Sequence, residues 1–479
     1  MNEPGERSKV HTRADPYQAR ARELCREAGF DPDSRRYDHP TNNARGRPAW
    51  TDYRQAARGE HLAREQAELA AALAIKQKDC PYPAPQPDHY AHAPLAIVGR
   101  DHEPSTLDQM ANCMKVGNVV AGAICADGHL GYAQPVGASV AYEGQISISG
   151  VGYDIACGNM AVKLDMPYTA IKDNILPLMN KIRSNISFGT GRVNETDRVE
   201  HELFDSDLWQ ISGREDFKNT ARKQLGTIGG GNHYVDIFED DGGSTWIGVH
   251  FGSRGLGHSS AKMYIEAAGG KDGINVAPAV VGETTELGER YLAAMQLAGL
   301  YAYAGREWVV EKVRSIIGGN VLDMVHNHHN FAWKEYHLGR DVWVVRKGAT
   351  PAFPGQRGFV GGSMGDDAVI IEGTTAPSSQ ALRLMFSTVH GAGRLFGRKE
   401  AIRRYTREQM EAWLRAQDVV LVGGEVDESP MAYRRLRDVL ANHYKIKNVT
   451  DYTAPHDWKY GGKEELCGEI AERMIEEGR

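Results

Sequence analysis

The segment Gly150-Val-Gly-Tyr-Asp-Ile-Ala-Cys-Gly158 sets a carboxylate, Asp154, and a thiol, Cys157, three residues apart among glycines that let the backbone fold tightly around a small ligand. A cation is the natural occupant, because a carboxylate is a hard donor, a thiolate a softer one, and a thiolate can bridge two metals. The alternative is a buried structural cysteine beside a turn aspartate. Two histidines stand in comparable settings: His233 closes Gly229-Gly-Gly-Asn-His233, and seventeen positions on, His250 sits within Gly248-Val-His-Phe-Gly-Ser-Arg-Gly255. A third cluster, His326-Asn-His-His-Asn330, follows the apolar Val321-Leu-Asp-Met-Val325 and is expected at the end of a strand. On one strand face only His326 and His328 could point the same way, and a His-rich exposed loop is the alternative. Asp154, Cys157, His233, His250 and one member of this cluster would supply ligands for two divalent ions sharing the Cys157 sulfur. Such a pair clamps and polarises phosphoryl oxygens.

The segment Phe386-Ser-Thr-Val-His390-Gly-Ala-Gly-Arg394 differs in character. Gly391 and Gly393 allow a phosphate to approach the backbone, and Arg394 offers charge neutralisation. That setting suits a nucleophile better than a ligand, since an imidazole can attack phosphorus to give a phosphoramidate that transfers onward. Two further Gly-rich loops, Arg346-Lys-Gly-Ala-Thr350 and Gly361-Gly-Ser-Met-Gly365, are consistent with a phosphate cradle.

These residues need a scaffold, and the chain is long enough for one. At about 150 residues per domain, 479 residues correspond to roughly three domain-sized units, or to one large catalytic core with an appendage. The composition, 41% hydrophobic, supports a substantial core. A formal net charge of −7 excludes a surface that coats nucleic acid nonspecifically, so any such contact is a local patch. One candidate patch runs along Arg394, Arg398, Lys399, Arg403, Arg404 and Arg407, which could equally be a solvated helix face. Six cysteines without a Cys-x-x-Cys pair argue against a disulfide framework or zinc knuckle. No apolar run is long enough to span a bilayer and the N-terminus is polar, so the expectation is a cytoplasmic protein with no membrane partner.

Residues 1–92 are rich in Arg, Glu, Asp and Pro, with a helix expected from Tyr53 to Lys78, and read as a mainly helical N-terminal extension of unknown role. It ends in a Pro-rich linker, Pro81 to Pro94. Residues 93–479 read as a single catalytic domain. Short apolar runs bounded by glycines predict strands at Asn118 to Cys125, Val136 to Tyr142 and Ile146 to Ser149, and later at Val342 to Val345, Ala368 to Ile371 and Val419 to Val422. Helical spacing of Leu287, Tyr291, Met295, Ala298, Ala302, Val309 and Val313 predicts a long helix from Thr284 to Ile317, and a basic helix is expected from Leu395 to Leu414. The fold class is α+β, not a regular βαβ array.

Taken in order, the motifs resemble the RtcB-type RNA ligase family over roughly residues 96–462. The carriers are Asp127-Gly-His-Leu-Gly131, Gly150 to Gly158, Leu225-Gly-Thr-Ile-Gly-Gly-Gly-Asn-His233, Val249-His-Phe-Gly-Ser-Arg-Gly-Leu-Gly257, Arg346-Lys-Gly-Ala349, Gly362-Ser-Met-Gly365, His390-Gly-Ala-Gly-Arg394 and Asp427-Glu-Ser-Pro430. The resemblance implies a large catalytic core of mixed sheets and helices. It further implies a GTP- and manganese-dependent enzyme joining an RNA 3′-phosphate or 2′,3′-cyclic phosphate to a 5′-hydroxyl, in tRNA splicing or RNA repair. By analogy His390 becomes guanylylated, and two Mn²⁺ are held by Asp154, Cys157, His233, His250 and His329. His329 is the choice because His329-Asn330 with His337 fits the family pattern, with His326 and His328 as competitors. Nucleotide contacts carried over are Asn232, Asp236, Asn330, Ser363, the Gly391, Ala392 and Gly393 backbone, Tyr433 and Lys459. An archease-type activator is the further partner implied. Departures from the family pattern stand at Asp236, Leu300, Gly305, Glu307, Asp366 and Asp367. The rival readings are a binuclear metal phosphoesterase and a catalytically inactive homologue that binds RNA ends.

Overall fold

The computed structural model describes residues 18–27, 35–36, 47–48, 93–99, 102–194, 199–375, 379–443 and 446–452. The chain divides into two units, Met1–Pro83 and Ala84–Arg479. In the first, helix α1 (Gln18–Glu27) buries Ala21 and Cys25, one turn apart on the same face, and β1 (Arg35–Arg36) pairs antiparallel with β2 (Arg47–Pro48). The helix expected from Tyr53 to Lys78 and nearly all of the Pro-rich linker lie outside the described residues.

The second unit is α+β. In chain order it runs through β3 (Leu95–Ile97), α2 (Pro104–Cys113), β4 (Val119–His129), β5 (Val136–Tyr142), β6 (Gln145–Ser147), α3 (Ile148–Val151) and β7 (Gly158–Pro167). After α4 (Ile175–Asn185) and α5 (Lys218–Gln224) come β8 (Tyr234–Glu239), β9 (Ser244–His250), α6 (Arg254–Ala267), β10 (Val280–Gly282) and the long α7 (Glu286–Ile317). The chain continues through β11 (Val321–His328), β12 (Asn330–His337), β13 (Arg340–Lys347), β14 (Ala349–Pro351), β15 (Arg357–Val360), β16 (Ala368–Gly373) and β17 (Ser387–Val389). It closes with α8 (Arg398–Arg404), α9 (Arg407–Ala416), α10 (Leu436–Asn442) and β18 (Ile446–Tyr452).

Two sheets position the site. One has the order β12-β13-β5-β4-β3, the other β11-β7-β9-β8. Strand β4 is buried on both faces, which explains its nearly unbroken apolar run. Ile124 packs with Met110, Val140 and Tyr142 on one side, while Ala123 and Cys125 meet Val360, Val389 and Leu436 on the other. Helix α7 starts where the Thr285 hydroxyl accepts from the Gly288 amide and stops at Gly318 with φ 102°. Its face carrying Tyr291, Met295, Ala298 and Ala302 is part of the same core as Ile124, and Val309 and Val313 enter a second core under β7 and β9.

Two expectations are corrected. The basic helix is broken into α8 and α9 at Tyr405-Thr406, because Thr406 and Gln409 form a reciprocal capping box that starts a new helix. Val419 to Val422 is not a strand. It is an irregular rim of the cleft, with Val420 exposed. No helix among the described residues is long and apolar enough to cross a membrane.

Candidate active site

The register of the four-stranded sheet brings the metal-type side chains together. His328 lies opposite Gly158, Asn159 opposite His250, and His250 opposite Tyr234. Cys157 precedes Gly158, His233 precedes Tyr234 and His329 follows His328, so Cys157, His233, His250 and His329 gather at one end of that sheet. His329 stands where the chain leaves β11 and enters β12 of the five-stranded sheet.

Two trios result, Asp154 with Cys157 and His233, and Cys157 with His250 and His329, the ligand atoms of each lying within 4.8 Å of one another. His233 Nε2 is 2.8 Å from Asp154 Oδ2 and 3.7 Å from Cys157 Sγ. His250 Nε2 is 3.2 Å from the same sulfur and 3.3 Å from His329 Nε2. Close approach needs small neighbours: a side-chain carbon at Gly252 would overlap the Asp154 carboxylate.

The donor set fits cations. His250 Nδ1 donates to the Asn232 carbonyl at 3.0 Å, which leaves Nε2 without a proton and facing two other donor atoms. Burial, then neighbouring histidines, hold His250 and His329 well below the usual imidazole range, so both rings are neutral and could serve as ligands. Burial and then Asp154 push the Cys157 thiol well up when no cation is near, so that binding one displaces its proton. Burial opposes ionisation of Asp154, but the charge and hydrogen bond of His233 outweigh it and keep the carboxyl below its ordinary value.

His390 comes from the other sheet's side, one residue beyond β17, whose Val389 pairs with Ala349. Its ring stands 4.9 Å from that of His329. Its Nδ1 lies 2.6 Å from Asp127 Oδ2, and its backbone amide donates to the same oxygen at 2.9 Å. Asp127 is fully buried in β4, and although burial alone would raise its carboxyl, the charge and hydrogen bonds of His390 hold it low. The carboxylate therefore keeps a proton on Nδ1 and leaves the lone pair on Nε2. Beside it, burial pushes His129 down to about 4. Asp127 is not among the site residues expected from the sequence. Its signal is a charged residue directly after the apolar run Ala121 to Ala126.

Asp154, Cys157, His233, His250, His329, His390 and His129 line one cleft of about 2430 Å³, with Asp127 buried behind His390. Asn232, Asp236, Asn330, Ser363, Gly391, Ala392, Gly393 and Tyr433 line it as well. Asn330 ties the site's loops together, donating to the Asp154 carbonyl at 3.2 Å and accepting from the Gly348 amide at 2.6 Å. The Tyr433 hydroxyl donates to Glu428, and its ring lies under Arg394. Lys459 lies outside the described residues.

The packing gives several other residues different roles. Arg346 is not part of a phosphate cradle: it is fully buried and makes paired hydrogen bonds to Glu335 at 2.5 and 3.0 Å. Of the basic run, Arg394, Arg398, Arg404 and Arg407 each sit within ion-pair distance of a carboxylate, from Glu428, Glu428, Glu400 and Glu411 respectively. His326 and His328 face α7 and join neither trio. Leu300 is 45% exposed, Gly305 abuts Phe251, and Glu307 stands 3.8 Å from His326, so none of these three departures faces the cleft. Asp366 and Asp367 both line the cleft; Asp366 caps α10 through the Leu436 amide at 2.7 Å and pairs with Arg435, and Asp367 is raised to about 6 by burial and by Asp366.

Burial raises Asp236 to about 7. Between the unfolded carboxyl value and this one the folded chain holds a proton that the unfolded chain has lost, so stability falls as pH rises through that window. Asp236→Asn is expected to melt with the wild type below about pH 4 and above it in temperature past pH 7, by roughly 2 kcal/mol. That is half of what full burial would give, because the carboxyl borders the open cleft. Thermal melts of the metal-free protein across this range check it, and parallel curves would contradict it.

Carboxylate, thiol and imidazole groups in two trios, with a carboxylate-held histidine beside them and a glycine-lined cleft, form a candidate site compatible with metal use. The family model of the tRNA-splicing ligase RtcB matches residues 109–213 and 210–454, and the chain belongs to that family. The RNA-splicing ligase RtcB of Escherichia coli strain K12 is 30% identical over 358 residues, 68% of this chain and 86% of the relative. The tRNA-splicing ligase RtcB of Thermococcus kodakarensis is 28% identical over 428 residues, 72% and 88% of the two chains. The RNA-splicing ligase RtcB of Mycobacterium tuberculosis is 28% identical over 400 residues, 66% and 91%.

Proposed function

We propose that the chain is an RNA ligase that joins 3′-phosphate or 2′,3′-cyclic phosphate ends to 5′-hydroxyl ends, with GTP as cosubstrate and two divalent ions, Mn²⁺ foremost. The observation that carries this reading is His390, its Nδ1 bound to Asp127 and its ring beside His329, in a chain of the RtcB family. His390 Nε2 attacks the α-phosphorus of GTP, and the bond to the bridging oxygen breaks as pyrophosphate leaves. Asp127 keeps the Nδ1 proton in place while the ring gains positive character. The guanylyl group passes from nitrogen to the RNA 3′-phosphate. The 5′-hydroxyl oxygen then attacks that phosphorus, losing its proton, and GMP departs; a cyclic end is first opened by hydrolysis.

Asp154, Cys157 and His233 would hold one cation, and Cys157, His250 and His329 the other. When bound, such ions neutralise and polarise phosphoryl oxygens. The nucleotide would be contacted by Asn232, Asp236, Asn330, Ser363, the Gly391 to Gly393 backbone and Tyr433, with Lys459 a further guanine contact. Residues 1–92 act as an appendage to the catalytic domain, the compartment is the cytoplasm, and an archease-type activator is a partner.

The experiment is joining of a labelled RNA carrying a 3′-phosphate to a 5′-hydroxyl RNA, with Mn²⁺, with and without GTP. Joining only with GTP is expected. Cleavage of phosphate esters without GTP would favour the phosphoesterase reading, and tight binding of RNA ends without product the inactive one. A narrower expectation concerns Asp127→Asn, which weakens control of the His390 tautomer. Covalent guanylylation should slow by about 10²- to 10⁴-fold with the variant still folded. Labelling at the wild-type rate would remove Asp127 from the account.

A further inference from the structure

Arg306 lies on α7 with its side chain fully buried, and burial brings its pKa down to about 10. A buried guanidinium is costly unless its donors are met, and here four acceptors meet them, none of them a carboxylate. Nη1 donates to the carbonyls of Ala156 at 3.1 Å and Phe251 at 2.6 Å. Nε donates to His326 Nε2 at 2.8 Å, and Nη2 to His328 Nδ1 at 2.9 Å. Three of these acceptors share one property. Ala156 precedes Cys157, Phe251 follows His250, and His328 precedes His329, so each is one residue from a member of the same trio.

We propose that Arg306 is a positioning residue that fixes the spacing of Cys157, His250 and His329 so that they close around a divalent cation. This rests on the metal reading given above. Three chain segments distant in sequence carry the trio, and a single planar fork holds all three, which a flexible ammonium could not do. The local backbone needs such a tie. Ala156 has φ 61°, a left-handed value for a residue with a side chain, and it is pinned by its amide donating to the Asn330 carbonyl at 2.7 Å and by its own carbonyl accepting from Arg306. The same fork occupies His326 Nε2 and His328 Nδ1, which settles why, of three neighbouring imidazoles, His329 is the one turned toward Cys157 and His250. Tyr303 packs between the rings of His326 and His328, with centroids 4.1 Å from each, and holds them on the helix side. Arg306 makes no hydrogen bond to the His233 segment, and two of its acceptors adjoin His250 and His329, which belong to one trio alone, so its influence falls mainly on that trio.

The test is titration of the full chain with Co²⁺ and with Mn²⁺, following the thiolate-to-cobalt absorption and the number of ions bound by equilibrium dialysis, alongside metal-free melts. Arg306→Met is expected to weaken one of two binding events by about 10- to 100-fold and leave the other near its wild-type affinity. Arg306→Lys, which keeps the charge but cannot bridge three segments, should rescue folding better than affinity. His326→Leu removes one acceptor and should weaken the same event by a smaller factor, so it and Arg306→Lys decide the matter if Arg306→Met does not fold. Wild-type cobalt affinity in variants with a lowered metal-free melting temperature would overturn the proposal, leaving Arg306 a packing residue. Failure of the wild type itself to bind two ions would overturn the metal reading and this proposal with it.

Discussion

Cys157→Ser is expected to lose both cations together, whereas His233→Ala or His250→Ala loses one. The reason is the shared position of the sulfur: it is the atom common to both trios, 3.7 Å from His233 Nε2 and 3.2 Å from His250 Nε2. A serine hydroxyl does not ionise near neutral pH and is a poor bridge between two divalent ions, and it leaves two neutral, buried histidines facing an uncharged group. With two cations each contributing several kcal/mol of charge stabilisation to phosphoryl transfer, RNA joining should fall by about 10³-fold or more. Metal content by elemental analysis, read beside the joining rate, checks this. Two ions retained by the serine variant at wild-type affinity would show that the sulfur does not bridge.

His390→Ala should reduce joining by about 10⁴-fold or more and remove covalent labelling by α-labelled GTP, because among the described residues no other imidazole in the cleft has its Nδ1 held by a buried carboxylate. His129, two residues from Asp127 and with its ring 6.4 Å from that of His390, places its Nδ1 on the Asp127 backbone carbonyl instead. Binding of metal should be little changed in the alanine variant, since His390 belongs to neither trio. That separation between lost chemistry and kept metal distinguishes a nucleophile from a ligand. A variant that loses metal and labelling equally would place His390 in the metal centre instead.

Much of this site could be read from residue types. Gly-rich settings marked Asp154, Cys157, His233, His250 and His390, and the packing shows why: Gly252 leaves room for the Asp154 carboxylate, and Gly393, at φ 73°, lies against the backbone of Asp127. Strands β4 and β5 and helix α7 were legible because burial on both faces, or on one helical stripe, leaves a local pattern. What local pattern does not carry is pairing across the chain. That Asp127 meets His390, 263 residues on, or that Arg346 spends its charge on Glu335, follows from sheet order and not from either neighbourhood. The same holds for the three clustered histidines. Spacing alone could not separate His329 from His326 and His328, because the distinction lies in Arg306 on a different element. The break between α8 and α9 was present in the sequence as Thr406 and Gln409, a capping pair masked by the continuous run of basic residues around it.

The most direct measurement is mass spectrometry of the protein after incubation with GTP and Mn²⁺, followed by peptide mapping under alkaline conditions that preserve a nitrogen–phosphorus bond. A single guanylyl adduct on His390, discharged when RNA bearing a 3′-phosphate is added, is the predicted result. An adduct on a lysine, or GTP-dependent joining with His390 never modified, would contradict it.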